Sequence, residues 1–159
     1  MKEEIEILTK SDKETKKLGE ILAKVLSWDV LIKNARVISL EGDLGAGKTT
    51  FTQGFAEGLK IKEKIKSPTF VILKIYQVNK NSRSRESVAF HNFIHVDAYR
   101  LGAKDFSVFG WQDFIKNSKN IILVEWGNKI KKILPKNSIR IIFEHQKNPK
   151  HRLIKFLER

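Results

Sequence analysis

Residues Gly42-Asp43-Leu44-Gly45-Ala46-Gly47-Lys48-Thr49 have the spacing G-x-x-x-x-G-K-T of a Walker A loop, a cradle for the phosphates of a nucleoside triphosphate. Glycines are needed there because side chains would block the approach of backbone N–H groups to phosphate oxygens. The helix expected to follow turns its positive end towards the same anion. Lys48 is placed to reach the β- and γ-phosphates. The Thr49 hydroxyl is the group such loops offer to Mg²⁺, and Thr50 continues the binding segment. Hydrolysis also needs an acid near the metal and a group that orients water. Asp97 follows the apolar stretch Phe93-Ile94-His95-Val96, and Glu125 follows Ile121-Ile122-Leu123-Val124. Strands lying beside the Walker strand would bring either carboxylate near the γ-phosphate, one to serve Mg²⁺ and the other the attacking water; the sequence leaves open which does which. Thr69, after Pro68, lies where nucleotide-sensing switch loops of such proteins are found, and is a further metal-side candidate.

Other clusters are weaker. His91, His95 and Asp97 share one strand face by period two, but three residues on one strand rarely surround an ion. Arg83, Arg85 and Arg100 have the chemistry of phosphate clamps, although the first two sit in a polar loop typical of solvated residues.

The elements that must position these groups are legible. The Walker loop is delivered by the apolar run Val37-Ile38-Ser39-Leu40 and followed by a helix over 48–58, with Phe51, Phe55 and Leu59 on one face and Gly58 near its end. Before it, residues 3–8 alternate as an edge strand. Ser11 and Glu14 form a capping box for an amphipathic helix carrying Leu18, Ile21, Leu22, Val25 and Leu26, expected to pack on a sheet. Residues 70–78 and 88–96 read as a hairpin with a long basic tip at 79–92. Short helical pieces are expected at 103–106, 111–117 and 129–133. Residues 121–124 suit a strand buried on both faces, and 139–143 with 153–157 form a second hairpin. About seven strands with interleaved helices predict an α/β, P-loop NTPase-like three-layer fold with a mixed sheet.

At 159 residues the chain fits one domain, spanning residues 1–159. It has no cysteine, which excludes disulfide scaffolds and thiolate metal sites. Nothing resembles a signal peptide or membrane span, so a soluble cytoplasmic protein is expected. The net charge of +13 falls entirely within residues 51–159, a field that favours nucleic acid or an acidic partner.

Four blocks carry a resemblance to a known family. Glu41 to Phe51 around the Walker loop, Ser67-Pro68-Thr69-Phe70, His95-Val96-Asp97-Ala98-Tyr99-Arg100-Leu101 and Val124-Glu125-Trp126 occur in the order seen in the TsaE family of bacterial P-loop ATPases. The resemblance implies an ATP- and Mg²⁺-dependent component of tRNA threonylcarbamoyladenosine biosynthesis. Such a protein works with TsaB and TsaD, and its hydrolysis resets their complex. It further implies phosphate and magnesium roles for Lys48 and Thr49, a switch-like role for Thr69, metal and water roles for Asp97 and Glu125, and a nucleotide or partner contact for Trp126. tRNA would be met indirectly, or directly through the basic half. Two departures stand out: the hairpin tip is long, and the acidic pair usual after the tyrosine-arginine-leucine motif is reduced to Asp105. The alternative is a small kinase of a nucleotide or metabolite, with the basic tip as lid; a nucleotide-gated binding module without turnover is a third reading. A GTPase is disfavoured because Asn128-Lys129-Ile130-Lys131 lacks the aspartate of a guanine-reading motif.

Overall fold

The computed structural model describes residues 4–28, 32–66, 73–78 and 89–157. The Walker strand β2 (Arg36–Gly42) is buried along nearly its whole length, because the sheet covers it on both edges and helices cover both faces. It pairs in parallel with β5 (Asn120–Glu125) on one side and with β6 (Ile139–His145) on the other. Beyond β5 lie β4 (Asn92–Asp97), parallel to it, and β3 (Leu73–Gln77), antiparallel to β4. Beyond β6 lie β7 (Arg152–Leu157) and then β1 (Glu4–Thr9), both antiparallel to their neighbours. The sheet order is β1-β7-β6-β2-β5-β4-β3, a mixed seven-stranded sheet with β1 on the expected edge.

Period-two alternation divides the core. Ile38, Leu40, Ile121 and Leu123 face a layer made by α1 (Asp12–Leu26) and α2 (Lys48–Gly58), packing with Phe51, Phe55 and Phe93. Val37, Ile94, Val96, Ile122 and Val124 face the opposite layer, where Phe106, Trp111 and Ile130 cover them. These are the three layers expected of the fold class.

Helix α1 departs from its expected partner. It lies chiefly across α2 rather than on the sheet. The crossing is so close that a Cβ at Gly54 would fall 1.8 Å from the Lys16 carbonyl oxygen, and one at Gly58 would fall 2.5 Å from that of Glu20. Gly58 therefore serves the helix crossing and not a helix cap. The left-handed residue that ends the segment is Lys60, at φ 60°. At the start of α1, Ser11 Oγ accepts from the Glu14 N–H, while the Glu14 carboxylate accepts from the Lys10 N–H, one residue earlier than the usual capping box.

The short pieces are tighter than expected. Asp105–Phe109 and Gly127–Ile130 are 3₁₀ turns, displaced from 103–106 and 129–133, and α3 covers Trp111–Lys116. Asp105 accepts from the Gly102 N–H and fixes the first of these turns locally. The strand expected over 88–96 begins only at Asn92, and the loop residues 79–88, with Arg83 and Arg85, lie outside the described residues. So does the segment 67–72 with Thr69. No described helix is long and apolar enough to cross a membrane.

Candidate functional site

The Walker loop leaves β2 at Gly42 and enters α2 at Lys48. Gly42, Gly45 and Gly47 hold φ values of 137°, 74° and 100°, a left-handed region that side chains disfavour, so the glycine pattern is a backbone requirement here. Gly42 has a second reason: a Cβ on it would fall 2.4 Å from the Phe143 carbonyl oxygen on β6. No side chain caps the start of α2, which leaves its first N–H groups without a side-chain acceptor.

Lys48 folds back over this loop. Its Nζ donates to the carbonyls of Gly42 at 2.6 Å and Asp43 at 2.8 Å, and sits 3.9 Å from the centre of the Trp126 ring. Burial pushes its ammonium below the ordinary lysine range, against the attraction of Glu125, Asp97 and Asp43. Trp126 reaches this position through a left-handed backbone, φ 62°, unusual for a bulky residue and typical of strain held at working sites. The next residue, Gly127, has no room for a Cβ, which would meet Ser39 Oγ at 2.0 Å. The turn after β5 is thus fixed on both sides of the peptide that aims the indole. Tyr99 packs on Trp126 with ring centres 4.9 Å apart, and Lys129 donates to the Tyr99 carbonyl at 2.6 Å.

The two strand-end acids come together. Asp97 and Glu125 are register partners at the carboxyl ends of β4 and β5, and Glu125 is also opposite Leu40 of the Walker strand. Glu125 continues the Ile121 and Leu123 face and so points at the first turn of α2. Its Oε2 accepts from the Thr49 hydroxyl at 2.9 Å; its Oε1 lies 3.2 Å from the Thr52 hydroxyl and 2.9 Å from His95 Nε2. Thr52 has a second acceptor in the Lys48 carbonyl at 2.9 Å. Glu125 is 2% exposed and His95 is fully buried, its Nδ1 without a partner, so Nε2 carries the hydrogen given to Glu125. That bond accounts for His95 and replaces the strand-face metal reading; among the described residues no three His, Cys, Asp or Glu side chains form a metal-binding group. Asp97 is more open. Its Oδ1 accepts from the Tyr99 N–H at 2.9 Å, and burial raises its carboxyl above the ordinary aspartate range, with the Glu125 charge adding to the rise and the Tyr99 bond opposing it.

The arrangement gathers a loop of backbone donors, a lysine, a hydroxyl bonded to a buried carboxylate, and a second carboxylate one strand further out. Thr49 and the carboxylate bonded to it, Glu125, are the residues that would hold a divalent cation, and this donor set fits a Walker-type magnesium site. Arg100 is exposed in the turn after β4, and Thr50 is half-buried on α2. Sequence reasoning missed the His95–Glu125 bond, and missed Arg152 and His145, which touch the far side of the Walker loop.

A family model described as threonylcarbamoyl adenosine biosynthesis protein TsaE matches residues 9–154. The chain belongs to the TsaE family. A relative from Bacillus subtilis (strain 168), named tRNA threonylcarbamoyladenosine biosynthesis protein TsaE, is 37% identical over 136 residues, which is 86% of this chain and 75% of the relative. A protein of the same name from Aquifex aeolicus (strain VF5) is 35% identical over 128 residues, covering 79% of each chain. The crystal structure of Bacillus subtilis YdiB superposes with a TM-score of 0.72 at 30% identity, covering 99% of this chain and 87% of that one. Membership of the TsaE family, read from four blocks of sequence, is therefore borne out together with the α/β fold.

Proposed function

We propose that this TsaE-family chain binds ATP with Mg²⁺ in the Walker loop and hydrolyses it in the service of tRNA threonylcarbamoyladenosine biosynthesis, acting in the cytoplasm with TsaB and TsaD. The observation that carries the reading is the 2.9 Å hydrogen bond from Thr49 to a buried Glu125, beside Lys48. A buried carboxylate against that hydroxyl suits a loop that holds a cation as well as phosphate.

Mg²⁺, when bound, neutralises charge on the phosphate oxygens. Thr49 and Glu125 hold the metal side, with His95 and Thr52 fixing the carboxylate's orientation. Lys48 exchanges its two loop carbonyls for phosphate oxygens. Asp97 is the better placed of the two acids to orient and deprotonate water: it is less buried, its Oδ2 is not taken by the Tyr99 bond, and burial has raised its proton affinity towards what a base requires. The Trp126 ring covers the lysine on one side, and Tyr99 packs against that ring. Thr69, outside the described residues, keeps the switch-like role implied by the resemblance.

Hydrolysis is expected to be weak for the isolated chain and to rise when TsaB and TsaD are added, as measured by phosphate release. Absence of stimulation, accompanied by phosphoryl transfer to a nucleotide or metabolite, would replace this reading with the small-kinase one. If the basic half touches tRNA directly, association will weaken steeply with salt.

A further inference from the structure

A planar trans peptide holds its C=O and the following N–H on opposite sides, so a donor that pins a carbonyl outwards also aims an N–H inwards. Four successive carbonyls of the Walker loop accept hydrogen bonds, and the Ala46 N–H that follows the last of them is turned to the Asp43 carbonyl at 3.2 Å. Lys48 takes those of Gly42 and Asp43. The other two are held from the opposite end of the chain: His145 Nε2 donates to the Leu44 carbonyl at 3.1 Å, and Arg152 Nη2 to the Gly45 carbonyl at 3.1 Å. Because a carbonyl can only accept, His145 carries its hydrogen on Nε2.

His145 and Arg152 are themselves register partners, the last residue of β6 facing the first of β7. Arg152 is 9% exposed, and among the described residues its hydrogen bonds all go to carbonyls: Gly45, and through Nη1 its own turn at Pro149 (2.5 Å) and His151 (2.8 Å). Its Nε is buried without a partner, and its side chain lies 3.7 Å from where a Cβ of Gly47 would be. A guanidinium is costly to bury when its hydrogen bonds go to dipoles and no carboxylate answers its charge. Placed behind a phosphate loop, the same charge favours an anion in front.

We infer that His145 and Arg152 are positioning residues of the nucleotide site: the terminal hairpin clamps the Leu44 and Gly45 carbonyls outwards, pre-setting the loop for phosphate, and Arg152 supplies a second positive charge behind it. This rests on the reading of residues 42–49 as a phosphate cradle. It assigns the terminal hairpin a role in ligand affinity beyond completing the sheet.

The test is ADP binding by calorimetry to the full chain and its His145→Ala, His145→Gln and Arg152→Met variants, with the ligand-free thermal midpoint of each measured alongside. Glutamine keeps an N–H at about the reach of Nε2. His145→Ala and Arg152→Met are expected to raise the Kd about tenfold or more, and His145→Gln to recover most of that loss at a midpoint equal to that of His145→Ala. His145 is exposed, so its pair of variants decides the matter even if Arg152→Met does not fold. Wild-type ADP affinity in His145→Ala, or equal loss in the alanine and glutamine variants, would overturn the inference while leaving the nucleotide reading intact. Failure of the unaltered chain to bind ADP would overturn both.

Discussion

Replacing Glu125 separates its structural role from its chemical one. In Glu125→Gln the amide oxygen can take the place of Oε1, which faces the two fully buried donors, His95 and Thr52. The amide NH₂ then falls at Oε2, and the Thr49 hydroxyl must turn to accept instead of donate. All three hydrogen bonds to the carboxylate become neutral, offset in part because a charge is no longer buried, a net loss of about 1 kcal/mol. In Glu125→Ala both acceptors vanish. Thr52 retains the Lys48 carbonyl, but the His95 N–H is left buried without an acceptor, at about 1–3 kcal/mol, and the missing side-chain atoms add a cavity cost. Urea unfolding should therefore rank the chains wild type, glutamine, alanine, with about 2–4 kcal/mol between the first and last. Chemistry should rank them differently. Because glutamine cannot supply the negative charge on the metal side, phosphate release at saturating ATP should fall about 10²–10³-fold in both variants. ADP affinity measured in metal-free buffer should change little, whereas Lys48→Ala should weaken it. Turnover by Glu125→Gln near the wild-type rate would refute the metal-side assignment. So would a loss of metal-free ADP affinity as large as that of Lys48→Ala.

Two further predictions concern pH. The folded state raises the Asp97 carboxyl, through burial and the Glu125 charge, so folding binds a proton more tightly there than the unfolded chain does near its ordinary value of 3.8. Stability therefore falls as pH rises from that value through the folded one, and Asp97→Asn should be more stable than wild type at pH 7, with the difference closing below about pH 3.8, while its phosphate release collapses. A destabilised, active Asp97→Asn would contradict both roles. Glu41 has the opposite sign. Burial opposes its charge, but the two-pronged bond from Arg140, at 2.8 and 2.7 Å, with help from Ser39, holds it below its ordinary 4.5. Its contribution is complete above about pH 4.5 and lost as pH falls through the folded value, so the urea midpoint of Glu41→Gln should be less sensitive to acid than that of wild type.

What could be read from the sequence were features whose physics is local. An apolar run followed by an acid marks a buried strand with a carboxylate at its end, which is why Asp97 and Glu125 were both visible before the register placed them side by side. The glycine spacing of the Walker loop specified positive φ at fixed offsets, and the three glycines adopt it. Gly54 and Gly58 carried no such signal, because their reason for being glycine is the carbonyl oxygen of another helix. The same distinction explains the site residues that were missed. His95 sits between Phe93 and Asp97 on its strand face, and its partner is chosen by which strand pairs with β4, a choice that periodicity within one strand does not encode. Arg152 and His145 meet the loop across sequence separations of 107 and 101 residues.

That distance bears on how the site is assembled. Lys48 and the glycines can set only part of the loop from within; the Leu44 and Gly45 carbonyls are held after β6 and β7 have joined the sheet on one side of β2. On the other side of β2, Trp126 reaches Lys48 from the end of β5 through a strained turn held between Ser39 and Tyr99. Lys48 is thus tied to two carbonyls and an indole face, and phosphate would have to replace the two carbonyls. If the loop holds nucleotide as proposed, its affinity depends on both sides of the sheet as well as on the eight residues of the motif.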